Sequence, residues 1–314
     1  MKCYVAPLEG ITGYVMRQAH HKYYPGTDKY FIPFIEPKPK SKKIFTGREL
    51  KDILPENNEG FCVVPQILTN KWEDFLWTAG HLKEYGYNEI NLNLGCPSKT
   101  VVSKKRGSGF LAFPEEVDQF LYHIFEKADV RISVKTRLGK DSPEEFEELM
   151  EIYNRYPLEE LIIHPRTQRQ LYGGIPDKKA YEEALGKAKF PVCYNGDVRT
   201  AEDWEQIGTE FPDTDGVMMG RGILRNPALI CEIRGQSTER ERLTAYHREL
   251  LEGYSREIPG EVQVLYKMKE LWCFMMDAFV HTEKQAKAVM KAKKLRDYEI
   301  AAMEILNNCE RKEA

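Results

Sequence analysis

Disulfide-forming and metal-binding cysteine patterns are missing from this 314-residue chain. Its seven cysteines, at positions 3, 62, 96, 193, 231, 273 and 309, are odd in number, and no two are spaced C-x-x-C. That pattern excludes a disulfide framework, a structural zinc site and a four-cysteine iron–sulfur centre; it leaves reduced thiols, most of them expected as small buried hydrophobes. Long apolar runs are missing too. No stretch approaches the ~18 consecutive apolar residues of a membrane span, and "MKCYVAPLEG" has neither the apolar core nor the cleavage site of a signal peptide. A cytoplasmic protein without a membrane partner is expected. Nor does any G-x-G-x-x-G follow the first strand-like run, which counts against a dinucleotide-binding open sheet.

What is present is the composition of an ordinary folded protein, 42% hydrophobic and 11% aromatic. The length suits one large domain, or a large and a small one, because single cores stop growing near ~250–300 residues. The net charge of −3 carries no general sign of nucleic acid, but its distribution is uneven. Residues 1–110 hold 16 Lys/Arg against 11 Asp/Glu, concentrated in "KPKSKKIFTGRELK" and "KTVVSKKR". Taken alone, such runs are usually solvated faces. Here two of them follow two different strand-like segments.

Short apolar runs predict eight strands: 3–7, 30–35, 61–67, 89–94, 131–136, 160–165, 190–196 and 215–220. Segments with helical pattern fall between them, at 12–21, 45–52, 71–85, 114–128, 143–155, 177–188, 200–208 and 224–233. Start signals such as Pro114 with Glu115 and Glu116 mark several first turns. Eight alternating strands and helices point to an α/β fold, a parallel (β/α)8 TIM barrel. From about residue 238 strand signals stop, and three amphipathic helices are expected. The division is therefore a barrel over 1–236 and a C-terminal helical domain over 237–314.

Active sites of such barrels lie at the C-terminal strand ends, so polar residues there matter. They are Glu36, Gln66, Asn93 with Cys96, Lys135 with Arg137, His164 with Arg166, Asn195-Gly196-Asp197, and Gly220-Arg221-Gly222. Polar groups at almost every strand end are hard to explain as packing, because buried charge is costly without a partner or ligand. Glycines and Arg221 at the last two strand ends suit a phosphate, a frequent ligand of those loops. Spacing alone leaves flavin mononucleotide (FMN) and a sugar phosphate both open. In "INLNLGCPSKTVVSKKRGSGFL" a lone thiol, Cys96, stands before a basic, glycine-rich segment expected to be mobile.

The motifs "APLEGIT", "NLNLGCPSKTV", "SVKTRLG", "IHPRTQRQLYGG", "PVCYNGDV" and "GVMMGRGILRNP" occur in order along the chain. Together they resemble the tRNA-dihydrouridine synthases, FMN enzymes that reduce the 5,6 double bond of uridine in tRNA with NADPH. The resemblance implies that Cys96 is the general acid protonating C5 of uracil while the hydride goes to C6. It implies FMN contacts from Pro7, Leu8, Gln66, Lys135 and His164, with Asn195, Gly196, Asp197, Gly220 and Arg221 at the phosphate end. It implies target-nucleotide contacts from Asn93, Arg166 and Tyr172, with Lys104, Lys105 and Arg106 meeting tRNA phosphates. It also implies that the helical tail binds tRNA; because the sequence shows no iron–sulfur ligand set, FMN is expected as the sole redox cofactor with no metal, and no obligate protein partner is inferred. An ordinary thiol, with pKa near ~8.5, is protonated at neutral pH and so suits proton donation. The chain departs from the family pattern at Gly13, where many members have Asp, and at Pro165, where a small residue is common; neither change removes a reacting group. Two other readings remain: an FMN enzyme acting on a free pyrimidine, as a dihydroorotate dehydrogenase does, and an RNA-binding protein with vestigial flavin chemistry.

Overall fold

The computed structural model describes residues 1–312. Nine strands form one parallel sheet: β1 (Lys2–Val5), β2 (Lys29–Phe31), β3 (Val63–Val64), β4 (Gln66–Ile67), β5 (Glu89–Leu94), β6 (Arg131–Arg137), β7 (Leu161–His164), β8 (Val192–Tyr194) and β9 (Gly216–Met219). Their order is β3-β2-β1-β9-β8-β7-β6-β5-β4. β3 and β4 are halves of the expected third strand, parted at Pro65, which has no N–H for the ladder. Because the chain joins them directly, the ring closes, and the carbonyl of Pro65 still accepts from the Asn91 N–H at 2.9 Å. This is the eight-position barrel expected from the sequence. Pro33 has a similar effect on the second strand, expected over 30–35: the regular ladder ends at Phe31, and Ile35 rejoins it by an isolated bridge to Ile67.

Period-two alternation divides the strand side chains. Tyr4, Ala6, Phe31, Val64, Ile162, Cys193 and Met218 fill the barrel interior. Cys3, Val5, Ile163 and Val217 belong instead to the larger core between sheet and helices. Each buried Leu, Ile or Val there contributes about 1.5–3 kcal/mol relative to exposure.

Gly13 gains a physical account. It is the N-cap of the helix Tyr14–Tyr23 and has no side chain to offer. Asp52, from the helix Gly47–Ile53, supplies the missing oxygen: its carboxylate accepts from the Tyr14 N–H at 2.6 Å. A Cβ on residue 13 would stand 3.2 Å from that carboxylate.

Two helix assignments need correction. The expected helix 224–233 is two short ones, Arg221–Arg225 and Leu229–Ile233, because Pro227 cannot continue the first. The tail holds four α-helices, Arg240–Glu257, Glu261–Met275, Glu283–Lys291 and Leu295–Asn308, where three were expected. The last pair separates at Ala292, where the Lys269 ammonium donates to the carbonyls of Met290 and Ala292, a cation on a helix C-terminus. Trp272 and Tyr298, both fully buried, donate to His247 Nε2 at 3.2 and 2.7 Å at the centre of the tail. The tail packs on the barrel where Gly253 meets Val15 so closely that a Cβ would lie 2.6 Å from its methyl. Among the described residues, no helix is long and apolar enough to cross a membrane.

Candidate active site

A cavity of about 320 Å³ opens at the C-terminal ends of the strands. Twelve of the residues expected at the site line it: Pro7, Leu8, Asn93, Cys96, Lys135, His164, Tyr172, Asn195, Gly196, Asp197, Gly220 and Arg221. Parallel pairing brings them together, since every strand of the barrel delivers its last residues to the same face.

The cysteine loop is held from below. Asn93 Oδ1 accepts from the N–H groups of Gly95 and Cys96 at 3.0 and 2.9 Å, and Asn93 Nδ2 donates to Gln66 Oε1 at 2.7 Å. Gln66 Nε2 donates to Asn91, which donates to Ser133. Gln66 is fully buried and does not line the cavity; it acts on Cys96 through this amide chain. Burial pushes the Cys96 thiol up from its ordinary range, against the opposing pull of a backbone hydrogen bond from Ser98 and the charges of Arg137 and Lys135. The thiol is therefore neutral at physiological pH.

Cations dominate the cavity. Burial, then the neighbouring Arg137 guanidinium, pushes Lys135 down to about 8. Among the described residues, nothing forms a hydrogen bond or ion pair with its ammonium. Burial, and then four surrounding cations beginning with Arg137, holds His164 far below its ordinary value, so its ring is neutral. Arg166 Nη1 lies 3.0 Å from His164 Nε2 and can only donate, which fixes Nε2 as acceptor and leaves the proton on Nδ1.

Arg166 itself is fully buried behind the cavity wall. It donates to both oxygens of Asp197, at 2.6 and 3.3 Å, and to the carbonyls of Gly173 and Gly174. Arg221 donates to the same carboxylate at 2.9 Å. Burial would raise Asp197, but the bonds and charge of the two arginines outweigh it and hold the group below its ordinary range.

The basic loop carries regular structure. It folds into the helical turn Lys99–Val102 and the 3-10 segment Gly107–Ala112, because Val101, Phe110 and Leu111 are apolar and bury against the barrel. Gly107 has φ of 54°, and a Cβ on it would stand 2.6 Å from the Cys96 carbonyl. Lys104, Lys105 and Arg106 do not line the cavity. Arg106 is paired with Glu36 at 3.0 Å, Lys105 lies over the Phe113 ring at 4.1 Å and near Glu116 at 3.8 Å, and Lys104 is exposed with no ion pair among the described residues.

Sequence reasoning noted Arg137 at a strand end but gave it no role. Nearly buried, it donates to the carbonyls of Gly95, Thr167 and Leu171, tying the cysteine loop to the Tyr172 loop. Its position two residues after Lys135 was the available signal. Glu9, Phe34 and Phe274 also line the cavity. Phe274 lies on a tail helix, and no local pattern marks it as a site residue.

The chain is similar to known proteins. A family model described as "Dihydrouridine synthase (Dus)" matches residues 4–313. The chain is 27% identical over 229 residues to tRNA-dihydrouridine synthase B of Pasteurella multocida (strain Pm70), covering 73% of this chain and 67% of that one. It is 27% identical over 265 residues to probable tRNA-dihydrouridine synthase 2 of Bacillus subtilis (strain 168), covering 81% and 79%. Among solved structures, morphinone reductase superposes with a TM-score of 0.52 at 14% identity, covering 78% of this chain and 88% of that one, a likeness of fold.

Proposed function

From the premise that the chain belongs to the dihydrouridine synthase family, we propose that it reduces uridine in tRNA to 5,6-dihydrouridine, with NADPH as reductant and FMN as its cofactor. The observation that carries this is that the Cys96 thiol lines the same cavity as the Lys135 ammonium, which has no partner among the described residues. A buried cation without a partner is costly, and an anionic ligand would relieve that cost. The residues fit FMN: Gly196, Gly220 and Arg221 for the phosphate, and Lys135, His164 Nδ1–H and the Pro7-Leu8 backbone for the ring edge. When bound, that group supplies the hydride for uracil C6.

The chain's own residues do the rest. Cys96 Sγ gives its proton to C5, forming the C–H bond as the S–H bond breaks, and water reprotonates the thiolate. The charges of Arg137 and Lys135 stabilise that thiolate, opposing the burial that keeps the thiol neutral beforehand. Asn93 fixes the backbone that carries the thiol. Tyr172, between the Arg137 and Arg221 guanidiniums at 5.3 and 5.1 Å, forms one wall for the target nucleotide. Residues 1–236 act as the catalytic barrel and 237–314 as the tRNA-holding domain, its last two residues outside those described. Lys104 meets backbone phosphate, and a uridine must leave its stack to reach the cavity.

The test is nucleoside mass spectrometry on unmodified bulk tRNA incubated with the flavin-loaded protein and NADPH. Uridine gaining the mass of two hydrogens is the expected result. Its absence, with the flavin still reducible, would sink the tRNA reading and turn attention to a free pyrimidine.

A further inference from the structure

Three aromatic side chains line the catalytic cavity, and they come from three places: Tyr172 from the loop after β7, Phe34 from the segment after β2, and Phe274 from the tail helix Glu261–Met275. They are not equivalent. Tyr172 is already engaged, with two guanidiniums over its ring and His164 at 6.1 Å. Phe34 and Phe274 have no aromatic or cationic partner among the described residues. Both are half-buried, whereas Arg137, His164 and Asn93 are almost wholly buried. Arg137, His164 and Asn93 are therefore more deeply set in the cavity wall than the two uncommitted apolar rings.

Phe274 is firmly placed. Its helix neighbours Trp272 and Met275 are buried in the tail core, at 0% and 3% exposure, so the helix cannot turn this ring away without exposing them. Just beyond it, Arg225 Nη2 donates to the Asp277 carbonyl at 3.1 Å, fastening this end of the tail to the barrel beside Arg221. The tail thus supplies a wall of the catalytic cavity.

An RNA base drawn out of its stack loses a few kcal/mol of stacking and pairing, and an aromatic face can return about 1–3 kcal/mol of that. We propose that Phe34 and Phe274 form a two-part aromatic clamp, one ring from the barrel and one from the tail, that stacks on an extruded nucleobase of the RNA substrate. Closure of the clamp then requires both domains to engage the same RNA. The inference rests on the tRNA reading above and adds residues to it.

The test uses full-length, flavin-loaded protein with unmodified tRNA transcript in two measurements: dihydrouridine formation at saturating NADPH, and equilibrium tRNA binding by fluorescence anisotropy. Phe274→Ala is expected to lower kcat/KM about 5- to 150-fold, mainly through KM, and to weaken binding in parallel. Phe274→Tyr, which keeps the ring, is expected to restore both, and Phe274→Leu, which keeps only the bulk, to fail to. Phe34→Ala should repeat the loss. Wild-type kcat/KM in Phe274→Ala, or full rescue by leucine, would overturn the clamp while leaving the reaction standing. A wild-type protein that makes no dihydrouridine, yet binds tRNA in a way that depends on the ring at 274, would overturn the reaction and keep the clamp.

Discussion

At the N-terminal end of the barrel, Lys29 sits between Glu89, at 2.9 Å, and Glu160, at 3.9 Å, while the Tyr4 hydroxyl donates to Glu160 at 2.7 Å. Lys2 and Asp215 pair beside them at 2.8 Å. At the C-terminal end, Arg166 and Arg221 share the carboxylate of Asp197, and Lys135 has no partner among the described residues. Both ends hold charge, but among the described residues the lysine of the first lies between two carboxylates while the lysine of the second has none. An excess of unbalanced cations is costly to fold, so it marks the end that a ligand completes. Two cysteines of the barrel differ in the same respect. Cys193 is fully buried in the barrel interior, whereas Cys96 opens on the cavity.

The largest effect should separate those two thiols. Cys96→Ala is expected to lower dihydrouridine formation by about 10²- to 10⁴-fold, the usual worth of a positioned acid, while flavin stays bound and the thermal midpoint is unchanged. Cys193→Ala should do the reverse, costing about 1 kcal/mol of stability with turnover kept at 25 °C. Equal loss of turnover in both would erase the distinction.

Next in size is the unpartnered ammonium. Burial lowers Lys135 from 10.5 to about 8, so the folded chain resists a charge that the unfolded chain carries freely. Stability is therefore lost as pH falls from 10.5 through about 8, and the whole penalty, at most about 3 kcal/mol, is present at neutral pH. Lys135→Met should raise the melting temperature of the flavin-free protein near neutral pH and weaken its flavin affinity, with the stability gain fading above about pH 10. Melting curves and flavin titration check the pair. A gain in stability without loss of flavin would break the link between cation and ligand.

The balanced end predicts a smaller change. Burial raises Glu160 from 4.5 to about 7, so stability is lost as pH rises from 4.5 through about 7 and stays lost above it. Glu160→Gln keeps an acceptor for the Tyr4 hydroxyl and should stabilise the protein by about 1–2 kcal/mol near pH 8, with no difference near pH 4. The gain is less than the shift alone would give, because Lys29 loses one of its two counter-charges. Thermal melts across that pH range test it, and turnover should be unaffected.

Much of this was legible in the chain. Alternating apolar runs gave eight strand positions, and the polar residues at their ends are the cavity wall; Cys96, Lys135 and His164 lie where that pattern put them. Pro33, Pro65 and Pro227 broke elements that hydrophobicity alone would have continued, and the lack of an N–H explains each break. Gln66 and Arg166 were picked out correctly as strand-end polar residues, yet they lie behind the wall, supporting Cys96 and His164 through hydrogen bonds. A strand-end position does not say whether a side chain reaches the cavity or stops one layer short of it.

The sequence by itself determined the barrel, the helical tail and the chemistry gathered at the strand ends, because strand periodicity and turn residues are local properties of the chain. Tertiary structure decided that Asp52 caps the helix Gly13 begins, that Asp197 binds two arginines, and that Phe274 from the tail reaches the cavity at the strand ends. Those meetings join residues up to hundreds of positions apart. They depend on how helices pack against the barrel, and a phenylalanine facing a cavity has the same helical spacing as one facing solvent.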